Sequence, residues 1–143
     1  MRLTTFTYYS LRVIIYLGLR RGELNTISDI AQAYKISENH LMKVVHHLAQ
    51  LGFVETIRGK SGGMRLAQDP ESIKMGELIR HTEGDSELLP CVNTTSSCCI
   101  QPSCNMVQIL REAQCALYAV LDRYTLADLL LNKVSLSEIL IHK

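Results

Sequence analysis

The chain has 143 residues, 15 Lys and Arg against 14 Asp and Glu, and a formal net charge of +1. That length suits one domain with a sizeable core, or one domain plus an assembly element, and excludes two independent domains. The charge decides nothing about nucleic acid until it is located: residues 1–84 hold eleven basic and eight acidic side chains, residues 85–143 four and six, so the basic excess is N-terminal.

The start, Met1-Arg2-Leu3-Thr4-Thr5, has no clear basic leader region. The apolar stretch from Leu11 to Leu19 is interrupted by Arg12, is followed by no small-residue cleavage site, and is too short to span a bilayer. The expected compartment is the cytoplasm, with no membrane partner. Thiols stay reduced there, and clustered cysteines serve metal or redox chemistry more often than structural disulfides.

In chain order, Leu11, Ile14, Ile15 and Leu19 follow helical spacing and predict a first helix over residues 8–20. Thr26-x-x-Asp29 reads as a capping box that opens a short helix with Ile27, Ile30, Ala31 and Tyr34 on one face. Only Lys35 and Ile36 separate it from Ser37, which is placed to cap a third helix with Leu41, Val44, Val45 and Leu48 as its apolar face and Gly52 as its stop. Two helices joined so tightly suggest a helix-turn-helix. The period then changes: residues 53–57 and 64–67 predict two strands around Arg58-Gly59-Lys60-Ser61-Gly62-Gly63, a hairpin with a basic, glycine-rich tip.

A helix near residues 74–83 follows, then a loop from Gly84 to Ser103, long enough to imply function. From about Cys104 to Tyr124 the residues Met106, Ile109, Leu110, Ala113, Leu117, Val120, Leu121 and Tyr124 form one helical stripe, about 30 Å long. Such a stripe needs a partner. Thr125-x-x-Asp128 and Ser135-x-x-Glu138 read as caps of two short terminal helices that fold back on the assembly.

The second helix of a helix-turn-helix enters the major groove by its N-terminal part, which here offers Ser37, Asn39, His40 and Lys43. Asn can make a bidentate contact to adenine, whereas Lys and Ser serve phosphates or base edges. The hairpin tip adds Arg58, Gly59, Lys60, Ser61 and Gly62, with glycines that let the backbone approach DNA closely. His46 and His47 are adjacent on their helix, point in different directions and have no second ligand at helical spacing, so they are left out of the site.

Cys91, Cys98, Cys99 and Cys104 form the pattern Cys-x6-Cys-Cys-x4-Cys, with Cys115 apart on the long helix and off its apolar stripe. Thiolates on a flexible loop suit an iron-sulfur cluster. Zinc usually takes Cys-x2-Cys knuckles, which are absent, but zinc, a redox thiol pair and idle cysteines all remain compatible with the spacing. No Ser/His/Asp set, phosphate loop or Cys-x2-Cys redox motif speaks for an enzyme, and no residue is assigned a catalytic role.

Over nearly its whole length the chain resembles the bacterial winged-helix iron-sulfur transcription regulators, and within them the nitric-oxide-sensing branch. The marks are Met1-Arg2-Leu3-Thr4 with Tyr9-Ser10-Leu11-Arg12, the segments 37–43 and 54–63, three loop cysteines, and Tyr124-Thr125-Leu126-Ala127-Asp128-Leu129. The resemblance implies a mainly α fold with a small β-hairpin wing: a winged helix-turn-helix DNA-binding domain over residues 1–83, a cluster-binding loop over 84–103, and a dimerisation helix with short C-terminal helices over 104–143. It further implies a homodimer on a palindromic double-stranded operator, acting as a repressor controlled by a 4Fe-4S or 2Fe-2S cluster on Cys91, Cys98 and Cys104. The alternatives are an iron- or redox-responsive regulator, or a cluster-free thiol sensor, of the same fold. The aspartate that serves as fourth ligand in the nitric-oxide-sensing branch aligns here with Tyr8, and the histidine used by the cluster-assembly regulators aligns with Val107. The fourth ligand is therefore left to Cys99, Asp85, Glu87, the Tyr8 phenolate or a small exogenous molecule.

Overall fold

A computed structural model of the chain describes residues 2–84, 88, 89, 91 and 98–141. Their elements are α1 (Thr5–Leu19), α2 (Ile27–Tyr34), α3 (Glu38–Gln50), β1 (Val54–Ile57), β2 (Gly63–Leu66), α4 (Met75–Glu83), a 3₁₀ turn (Gln101–Ser103), α5 (Met106–Leu121), α6 (Leu126–Leu129) and α7 (Lys133–Leu140). The architecture is the expected mainly helical winged helix-turn-helix followed by a long helix.

The first helix starts three residues before the predicted residue 8, because a polar cap begins it: the Thr4 hydroxyl accepts from the Thr7 N–H at 3.2 Å. Both halves of the Thr26–Asp29 capping box form, and the Thr26 backbone N–H and hydroxyl hold the Asp29 carboxyl below the usual carboxylate range. The turn into α3 is made by Lys35 in the left-handed region at φ 56°. Ser37 holds the N-cap place of α3, yet its side chain makes no capping bond, contrary to expectation. The reciprocal acid that completes the caps at Thr26 and Thr125 is missing there, since the third helical residue is His40, whose ring lies against Tyr9.

Val13, Ile14, Leu17, Ile30, Leu41, Val44 and Leu48 join Phe53, Val54, Met64, Ile73 and Leu78 in one core. Phe53 lies just before β1 rather than in it, its carbonyl accepting from the Ala67 N–H at 3.0 Å. The hairpin is antiparallel, pairing Val54 with Leu66 and Ile57 with Gly63, and buried Asn25 exchanges two backbone bonds with Met64 beside it. At the tip Gly59 takes φ 113°, and at Gly62 a Cβ would collide with the Ile57 carbonyl oxygen.

The long helix is shorter than its stripe: Cys104 and Asn105 precede it, and Asp122 to Tyr124 leave it as a turn. Every residue of α5 is at least partly exposed in the single chain. The terminal helices do fold back. The Thr125–Asp128 capping box forms, Leu126 is fully buried, its N–H donates to the Ile73 carbonyl at 2.8 Å, and Leu130 lies against Gly18 of α1. Ser135 does not cap α7. It sits inside that helix, which starts two residues earlier behind Asn132, so the Ser-x-x-Glu spacing was a coincidence of an exposed polar face.

Leu126 thus completes a core made otherwise by residues 13–78. Leu126→Ala should lower stability by about 2–5 kcal/mol, the cost of emptying a buried leucine site. Urea denaturation followed by circular dichroism checks it; a loss of only about 0.5 kcal/mol would put Leu126 at the surface.

Candidate nucleic-acid interface and cysteine loop

The N-terminal half of α3 turns its apolar residues, Leu41, Val44 and Val45, into the core and leaves Ser37, Asn39, His40, Met42 and Lys43 exposed. The His40 ring stacks on Tyr9 of α1, centroids 6.1 Å apart, so it is steadied before it meets any partner. On the hairpin, Arg58, Gly59, Lys60 and Ser61 are exposed, and Gly62 is half-buried by its turn.

The cations sort into two groups. Arg20 pairs with Glu23 at 2.7 Å, Arg21 with Asp69, Arg65 with Glu55 at 2.8 Å and Arg80 with Asp122 at 2.5 Å. Lys43, Arg58 and Lys60 have no carboxylate partner among the described residues. Those three are the cations the helix and the hairpin tip present outward.

α4 attaches to the rest of the chain at both ends. In its last turn, Glu83 Oε1 accepts from the Thr4 N–H at 2.8 Å and from the Thr4 hydroxyl at 3.0 Å. Beside it, the buried Thr7 hydroxyl donates to the Thr82 hydroxyl at 2.9 Å, and Thr82 in turn donates to the Leu78 carbonyl. His47 of α3 reaches the same turn: its Nε2 lies 3.3 Å from the His81 carbonyl, and its ring meets Phe6 edge-on at 5.4 Å. A carbonyl only accepts, so Nε2 carries the proton. His47, set aside in the sequence, therefore has a structural place linking α3 to α4; no local pattern announces a bond across 34 positions.

At the other end, Gly76 leaves no room for a Cβ against Asp122. Asp122 takes a two-pronged bond from Arg80, at 2.8 and 2.5 Å, and the guanidinium lies over the Tyr118 ring at 4.5 Å. Arg80 holds the Asp122 carboxyl below its ordinary pKa. This clasp joins α4 to the end of α5.

The cysteine-rich stretch runs between these two helices. None of the five cysteines is in a disulfide; Cys91 and Cys104 are half-buried, whereas Cys98, Cys99 and Cys115 are exposed. Gln101 connects the expected ligands: its N–H donates to the Cys98 carbonyl at 3.1 Å, its carbonyl accepts from the Cys104 N–H at 3.2 Å, and its side-chain amide lies 3.4 Å from the Cys91 carbonyl. No three His, Cys, Asp or Glu side chains among the described residues converge as the ligands of a single metal ion must. A polynuclear cluster asks for separate thiolates on separate irons, and three cysteines tied to one turn suit it in kind. Of the fourth-ligand candidates, Asp85 and Glu87 lie outside the described residues, Cys99 is exposed, and Tyr8 is engaged: its hydroxyl accepts from Arg12, whose guanidinium sits between the Tyr8 and Tyr34 rings. Burial pushes the Tyr34 hydroxyl up to about 12.

A helix-turn-helix with a basic hairpin wing is the fold of a DNA-binding transcription regulator. Residues 3–132 match the model of the Rrf2 family, described as iron-dependent transcriptional regulators, and the chain belongs to that family. It is 51% identical to the HTH-type transcriptional regulator NsrR of Bacillus subtilis, covering 98% of this chain and 97% of the relative. Among solved structures it is similar to IscR of T. potens, at TM-score 0.74 and 26% identity over 94% of this chain and 90% of that one. It is also similar to CymR, the global cysteine regulator of B. subtilis, at TM-score 0.69 and 29% identity over 90% and 95%. No helix among the described residues is long and apolar enough to cross a membrane.

The clasp between α4 and α5 should weaken in acid. Asp122 has a depressed pKa in the folded chain, so its contribution is present above its unfolded pKa and is lost as pH falls through the folded value. Unfolding midpoints measured from pH 7 downward should therefore fall less in Asp122→Asn, which is already without the charge, than in the parent. Parallel curves would show that the pair contributes nothing.

Proposed function

We propose that this regulator is a homodimeric repressor whose operator affinity is set by an iron-sulfur cluster on Cys91, Cys98 and Cys104 and falls when nitric oxide reaches that cluster. One observation carries the reading. The cysteine-rich stretch is spliced between the last turn of α4, which hydrogen-bonds to both α1 and α3, and α5, whose apolar stripe is open in the single chain. A change in that stretch can therefore act on the reading helix and on the pairing of two copies together.

In this reading residues 1–83 are the DNA head, 84–103 the cluster loop and 104–143 the dimer element, working in the cytoplasm. Asn39 and His40 help choose bases, Ser37 and Lys43 serve base edges or backbone, and Arg58, Gly59, Lys60, Ser61 and Gly62 grip the backbone or minor groove. Met106 and Ile109, 50% and 55% exposed, belong to the stripe that a second copy covers. Burying each such side chain is worth about 1.5–3 kcal/mol. Two-fold pairing then implies a palindromic operator with half-sites about one helical turn apart. When bound, the cluster supplies thiolate-ligated iron open to nitric oxide; the chain supplies the three thiols and the attachments that turn their arrangement into a head position. The resemblance to the nitric-oxide-sensing branch and the 51% identity with NsrR support this signal over iron or redox sensing. A cluster-free thiol sensor is the second reading, favoured by the exposed Cys98 and Cys99 and by the likeness to CymR.

The test compares operator affinity of anaerobic cluster-loaded, cluster-free and nitrosylated protein at one salt concentration, with mass by light scattering. The loaded dimer should bind about 5- to 150-fold more tightly than the other two, the range of ordinary allosteric coupling. Arg58→Ala with Lys60→Ala should weaken all three forms and lower the salt dependence by about two contacts. Equal affinities would end the switch; a loaded/unloaded difference without a nitric oxide response would redirect it to iron or redox; a colourless protein answering to thiol oxidation would favour the second reading.

A further inference from the structure

We propose that Gln101 is a positioning residue for the cysteine ligands, holding the backbone of Cys91, Cys98 and Cys104 from a single place. Its purpose rests on the cluster reading above. Gln101 opens the 3₁₀ turn Gln101–Ser103, and its backbone bonds to Cys98 and Cys104 are those of the turn, which any residue would make. Pro102 in the next place fixes one φ and stiffens that turn. The side chain does something the turn does not require. Its amide donates to the Cys91 carbonyl, ten positions away, at 3.4 Å, longer than the usual N–H···O bond but made between partly buried groups.

The consequence is entropic and electrostatic. Gathering thiolates from separate points of a loop costs chain entropy, and a bond that already ties Cys91 to the turn bearing Cys98 and Cys104 lowers that cost in advance. It does so with a neutral donor, adding no charge to a site that must accept three thiolates. Partners one step outside a metal's ligands typically change its retention by about 10- to 100-fold when removed. Glutamate at position 101 keeps the shape and loses the donor, methionine keeps length without donor or charge, and lysine keeps a donor that can reach.

The experiment uses the full chain in two states. In reduced, cluster-free protein, alkylation of Cys91 is timed by mass spectrometry against Cys115 of the same molecule, which lies on α5 away from the turn. In anaerobically loaded protein, loss of visible absorbance to an iron chelator is timed. Gln101→Met and Gln101→Glu should both raise the Cys91/Cys115 alkylation ratio severalfold and shorten the cluster lifetime by about 10-fold, and Gln101→Lys should restore both. Parental values in the Met variant, whether or not Glu changes, would overturn the proposal, since charge alone would then be at work. If the parent takes up no cluster, the cluster reading fails and the alkylation ratio alone decides for or against Gln101.

Discussion

The attachment of α4 at both of its ends is the constraint on which the rest of the molecule depends. Its last turn carries the N-terminus of α1 through Glu83 and Thr82, meets α3 through His47 and grips Asp122 at the end of α5 through Arg80, while its first turn sets Gly76 against the same Asp122. The bonds at its last turn include a buried hydroxyl pair, which is costly to break because burial leaves the separated groups unsatisfied. The DNA head and the long helix are thereby connected through packed side chains and not only through a loop.

The electrostatics follow from the same division of labour. Four arginines are spent within the structure on ion pairs, three with partners distant in sequence, and surface pairs of this kind contribute little stability each. Their effect is to leave Lys43, Arg58 and Lys60 as the outward cations of α3 and the wing. A chain of formal charge +1 can in this way bind an anionic partner, since what a phosphate meets is the local field and not the sum.

The open stripe of α5 and the closed core of the head are complementary features. Leu126 is buried among residues of the first four helices and the hairpin, and half-buried Leu130 packs against the same core, so the C-terminal segment is held by its own chain. Leu131 and Val134, 80% and 73% exposed, extend the uncovered apolar surface beyond α5.

How much of this was legible beforehand depends on the range of the interaction concerned. Helices α1 to α5, both strands and the caps at Thr26 and Thr125 could be read directly, because hydrophobic period and a reciprocal acid three residues away are local signals. The polar residues offered by α3 and the hairpin tip were legible for the same reason, and the cysteine pattern was visible as spacing. Local rules failed at Ser37 and Ser135, where a serine in the right place lacked the surroundings that make a cap. The bonds of Thr7 to Thr82, His47 to His81, Arg80 to Asp122 and Gln101 to Cys91 could not be read at all, spanning 75, 34, 42 and 10 positions. Periodicity says which face of an element is buried, but which side chain it meets there depends on how whole elements pack, and that is decided only when the core closes.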